Sequence, residues 1–104
     1  MSIIFELSTT NYLDDKLNVK KALSHLETLC QAWNGYSLAE PEEKAGWTFF
    51  KLKLKPELHE GIEKKFADMI SKYRWSKPEE KFRKFMEEYF LAKGCTVKVK
   101  LVLS

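Results

Sequence analysis

Arginine is nearly absent from this chain. Of its 18 basic side chains only Arg74 and Arg83 are arginines, and the rest are lysines. The planar guanidinium fork is the preferred reader of phosphates and guanine edges, so lysines in its place argue for solubility before base-specific recognition. Glycines number four, each alone, which excludes a glycine-rich phosphate loop. No Gly-x-Ser-x-Gly nucleophile motif occurs. His25 and His59 are the only histidines, and neither has partners at metal-ligand spacing. Glu63 lies four residues after His59, a pairing common on helix surfaces. Cys30 and Cys95 make no disulfide framework, and their apolar neighbours mark them as buried free thiols. No apolar run approaches the roughly 18 residues of a membrane span, and "MSIIFELSTT" lacks the basic and long apolar regions of a secretory signal. The expectations are a cytoplasmic protein with no membrane contact, no cofactor and no metal.

What is present is globular: 44% apolar and 32% charged residues in a chain of 104, suited to one domain over residues 1–104. The net charge of +3 is unevenly spread. Residues 1–43 hold three lysines against seven acids, and residues 44–104 hold fifteen basic residues against eight acids. Such asymmetry produces a polar field able to steer partners.

Hydrophobic periodicity orders the elements. "SIIFELS" alternates as a strand with Ile3, Phe5 and Leu7 on one face. From about Leu17, Val19, Ala22, Leu23, Leu26, Leu29, Cys30 and Trp33 fall at helical spacing. The start is placed at Asn18 with Leu17 as staple, or nearer Asp14, and the stop at Asn34-Gly35. Tyr36–Leu38 reads as a short strand, and the acidic stretch around Pro41 as a loop. A second strand carries Phe50, Leu52 and Leu54. After Pro56 comes a helix with Leu58, Ile62, Phe66, Met69, Ile70 and Tyr73 in one stripe. Ser76 and Glu79 form a capping box for a further helix bearing Phe82, Phe85, Met86, Tyr89 and Phe90, closed by Gly94. "CTVKVKLVLS" ends the chain as a strand. The fold class is α+β: one sheet of three to four strands, covered on one face by about three amphipathic helices, in the order β-α-(β)-β-α-α-β.

Binding candidates concentrate in "GWTFFKLKLK". Its alternation puts Trp47, Phe49, Lys51, Lys53 and Lys55 on the face opposite the core, and Lys98 and Lys100 of the last strand add to it. Aromatics interleaved with cations suit unstacked bases and phosphates. They suit an acidic protein equally, since Trp, Tyr and Phe anchor interfaces. Glu6 on the outer face of the first strand would repel phosphate. Tyr73, Arg74 and Trp75, in the turn between two helices, form a second candidate patch. The carboxylate pairs Glu79-Glu80 and Glu87-Glu88 interleave with basic residues as a solvated helix face does. Asp14-Asp15 and Glu42-Glu43, near loops, are the pairs open to catalysis. The expected function is non-catalytic binding of another protein, of inhibitor, immunity or adaptor type. Binding of single-stranded RNA or DNA comes second, and an enzyme third.

Overall fold

The computed structural model describes residues 3–74 and 77–103, with only the backbone of Leu103. The first strand, β1 (Ile3–Thr9), buries every second residue, as strict alternation of large apolar with other side chains requires of a strand covered on one face. The helix α1 (Tyr12–Cys30) follows. It begins earlier than its apolar stripe, because the stripe's next position toward the N-terminus is a carboxylate. Asp15, four residues before Val19, is buried. It accepts hydrogen bonds from the Thr9 hydroxyl, the Thr96 N–H at 2.9 Å and the Thr96 hydroxyl at 2.8 Å. A buried charge is stable only when hydrogen-bonded in this way. Here it clasps the end of β1, the start of α1 and the approach to the last strand. Leu17 is no staple: it is 59% exposed, and Leu13 is 79% exposed.

α1 also stops early. Gln31 takes the left-handed conformation (φ 53°, ψ 42°) and closes the helix, leaving Trp33 outside the stripe and 64% exposed. Asn34 is left-handed as well (φ 55°). Gly35 has a different task, since a Cβ there would lie 2.6 Å from the Leu58 Cβ. Its lack of a side chain lets the next helix pack close, and its N–H donates to the buried Glu27 carboxylate at 2.8 Å.

Two short strands, β2 (Tyr36–Leu38) and β3 (Glu42–Lys44), pair side by side along one edge of the long strand β4 (Trp47–Leu54). Between them the register slips by one residue, at the segment containing Pro41, which cannot donate to a ladder. Ala45 (φ 54°) and Gly46 (φ 84°) make the two-residue β3–β4 turn, the positive-φ pair that matches strand twist. An alanine in that conformation is uncommon, which hid β3 within a stretch that reads as a loop.

After β4, Pro56 opens α2 (Pro56–Lys65). At Phe66 (φ −116°, ψ 26°) the helical path breaks and resumes as α3 (Ala67–Ser71). The stripe is thus split: Leu58 and Ile62 are buried, Phe66, Ile70 and Tyr73 pack at the core margin, and Met69 is exposed. Helix α4 (Pro78–Ala92) has Lys77 as its N-cap, with no side-chain capping bond. The Ser76 half of the expected capping box lies outside the described residues. Its C-terminus is the expected glycine stop. Gly94 (φ 86°) is left-handed, its N–H donates to the Leu91 carbonyl, and the Cys95 N–H donates to Phe90 at 2.9 Å. The strand β5 (Lys98–Leu103) completes the sheet.

The sheet order is β2-β4-β1-β5, wholly antiparallel, with β3 beside β4. The fold is α+β, and the element order is the one expected, with β3 added and the middle helix divided. Phe5, Leu7, Phe50, Leu52 and Leu54 meet Leu23, Leu26, Leu58, Phe82, Phe85 and Phe90 in one core between sheet and helices. Among the described residues no helix is long and apolar enough to cross a membrane.

Candidate functional site

The register of the sheet assembles its uncovered face. Trp47, Phe49, Lys51 and Lys53 alternate with the buried Thr48, Phe50, Leu52 and Leu54, so they point away from the helices. Across β4 and β1, Phe49 lies beside Ser8, Lys51 beside Glu6 and Lys53 beside Ile4. One strand further, Lys98 lies beside Ser8 and Lys100 beside Glu6. On the other flank, β3 sets Lys44 next to Trp47 and Glu42 next to Phe49. One row across three strands therefore reads Lys51-Glu6-Lys100, an acid between two bases, which is the favourable cross-strand arrangement.

The two rings are neither core nor free. Trp47 and Phe49 are both half-buried. The Lys98 ammonium stands 5.2 Å from the Trp47 ring centroid, a cation–π contact reaching across β1. Phe49 borders a shallow hollow of about 290 Å³ with Glu6, Ala39, Glu40, Glu42 and Lys51 on its rim. Lys51, Lys53, Lys98 and Lys100 are exposed. The face thus offers two aromatic surfaces inside a ring where lysines outnumber acids.

The structure does not bring every candidate here. Lys55 has the right parity for this face, but the chain has left β4 by then: Lys55 is the N-cap of α2, and its N–H donates to Gly35. Tyr73 and Arg74 belong to the helical layer on the far side of the sheet, and Trp75 lies outside the described residues. Tyr73 packs at the core margin and its hydroxyl donates to Glu88 at 3.3 Å. Burial, then the Glu88 charge, pushes that hydroxyl's pKa up. Arg74 is exposed. The candidates therefore form two groups on opposite sides of the domain. Sequence reading missed Lys44 and Glu42, because β3 has no apolar alternation to betray it.

Groups with catalytic potential meet in pairs at separate places. His25 Nδ1 meets the Tyr89 hydroxyl at 2.5 Å on an exposed helix face. Burial, then Cys30, raises the Tyr89 pKa. His59 lies on the Phe82 ring at 4.4 Å between centroids and 3.4 Å from Glu63. Of the carboxylate pairs near loops, Asp15 is spent on the clasp described above, and Glu42-Glu43 lie in β3. Among the described residues no three His, Cys, Asp or Glu side chains converge as a metal site would require. Comparison with protein-family models, curated proteins and solved structures finds no match to this chain.

Proposed function

We propose that the protein is a non-catalytic binding module, and that the open face of its sheet docks an acidic surface of another protein. The observation that carries this reading is the pair Trp47 and Phe49, half-exposed on the sheet face opposite the core, within a field of lysines. A fold with one helical layer leaves the second sheet face to water, and water-facing strand positions are ordinarily polar. Large rings there cost solubility unless a partner covers them, and aromatic anchors ringed by charge are the usual composition of an interface centre and rim. Net positive charge on the face favours an acidic partner. Glu6, held between Lys51 and Lys100, and the lack of arginine on the face favour a protein over a single-stranded nucleic acid. An inhibitor, immunity or adaptor role fits such a module.

The second reading, single-stranded RNA or DNA, draws on the Lys98–Trp47 pair, which could stack a base and hold its phosphate. One experiment separates the two. Tagged wild-type protein and the Trp47→Ala/Lys51→Glu variant are used to capture partners from host lysate, with and without nuclease. The protein reading expects a partner that survives nuclease and is lost with the variant. A partner lost on nuclease treatment supports nucleic acid, and capture indifferent to the variant removes this face from consideration.

A further inference from the structure

The two edges of the sheet are finished differently. β5 is the edge beside β1, and there α4 caps the backbone at Val99. The Val99 N–H donates to Glu87 Oε2 at 3.0 Å, and its carbonyl accepts from Arg83 Nη1 at 3.0 Å. Side chains thus satisfy the Val99 groups that a docking strand would use, a known defence of edge strands.

β2 lacks such a seal. The Ala39 N–H donates to Lys51 at 2.9 Å and the Lys55 N–H to Gly35 at 2.7 Å. Residues 35 and 39 are therefore hydrogen-bonded to β4, and in an antiparallel ladder every second residue on the strand does the same. Tyr36 and Leu38 must turn their N–H and C=O groups the other way, outward. Among the described residues no strand lies beyond them. Next to this edge, between β2 and α1, runs an open groove of about 400 Å³. Tyr12, Lys16 and Lys20 line it from α1, and Tyr36 and Leu38 from β2. Lys16 and Lys20 are one helical turn apart, so their ammonium groups share a side of the helix. Two acids also reach the groove: Glu27, whose carboxylate is engaged by the Gly35 N–H, and the exposed Glu40 in the loop after β2.

We propose that the free edge of β2 and the lysine-bearing groove beside it dock an extended acidic segment of a partner protein, added to the sheet as a further strand. The segment's backbone pairs with Tyr36 and Leu38. Its alternate side chains turn toward α1, where carboxylates meet Lys16 and Lys20 and apolar groups lie against Tyr12 and Leu38. Because the free edge is only two residues long, charge supplies much of the attraction, and binding weakens as salt rises. This site opens toward α1 on the helical side of the sheet, whereas Trp47 and Phe49 lie on the opposite face, and it stands independently of the reading above.

The test uses a labelled peptide of alternating Glu and Val, its Lys–Val counterpart, and a Glu–Val peptide N-methylated at every second residue. Amide NMR on the whole protein reads the site. The expected result is binding of the Glu–Val peptide alone, with slowed exchange of the Tyr36 and Leu38 amides. Charge reversal, Lys16→Glu with Lys20→Glu, should weaken it by about tenfold or more, whereas Trp47→Ala should leave it unchanged. The proposal is overturned if the Glu–Val peptide does not bind, or if it binds equally after charge reversal or N-methylation. It is also overturned if the Tyr36 and Leu38 amides are already protected in a dimer of the protein, which would make a second copy the occupant.

Discussion

Phe49 and Phe50 are neighbours in one strand, identical in chemistry, and they live in different solvents. Phe50 is 2% exposed and packs edge-on against Tyr12 at 5.2 Å between ring centroids. Phe49 lies half-buried on the outer face between Glu42 and Ser8. Which face a ring occupies, and not what the ring is, decides whether it serves folding or remains available to a partner. The same division runs through the whole sheet, with aliphatic and aromatic side chains inside, and two rings among lysines outside.

The sharpest way to break the comparison is to truncate both rings. Phe50→Ala should cost about 4 kcal/mol, the usual range for a buried phenylalanine, a large part of the stability of a domain this size. Phe49→Ala should cost about 1 kcal/mol and weaken partner capture instead. Urea denaturation of both variants checks this, and equal losses would show that the outer ring is structural.

Next in size is the polar clasp behind the inner face. Asp15→Ala removes the acceptor of three hydrogen bonds and strands the Thr9 and Thr96 donors. The expected loss is about 3 kcal/mol, read as a lowered thermal midpoint. An Asp15 variant of wild-type stability would show that water takes over these donors without penalty.

Smaller still is the edge seal. Glu87→Ala frees the Val99 N–H at the edge of β5 and should cost about 1 kcal/mol. Its clearer sign is faster exchange of the Val99 amide, toward the rate expected at Tyr36 and Leu38. If Val99 stays protected, the two edges are more alike than their geometry implies.

The mildest effect is on pH dependence. Burial, and then the charge of Asp15, push the Cys95 thiol from 9.0 to about 11. The unfolded thiol ionises near 9.0 and the folded one does not, so the folded state binds the proton more tightly. This contribution is complete below pH 9 and is lost as pH rises from 9 toward 11. Cys95→Ala should therefore lose less stability than wild type between pH 8 and 10.5, measured by urea midpoints. Cys30, half-buried, should react with thiol reagents at pH 8 well before Cys95 does.

Much of this architecture is legible in the chain because periodicity reports burial directly. The alternation of β1, β4 and β5 and the stripe of α4 each match the observed core. Legibility failed where a polar residue took a core-facing position or an unfavourable residue took a turn. Asp15 left the start of α1 open between Asn18 and Asp14, and Ala45 at positive φ hid the β3–β4 hairpin. Lys55 misled in the opposite way, since parity continues on paper after the backbone has turned into α2.

By itself, then, the sequence determined the α+β class, the element order and the identity of the two outward rings, because strand and helix periods are local properties of the backbone. Only the tertiary structure decided which rows the rings join, that Lys98 reaches over Trp47, and that α4 caps Val99 on one edge while Tyr36 and Leu38 face outward on the other. Those facts depend on strand order and register, and these are set by pairing between residues far apart in the chain.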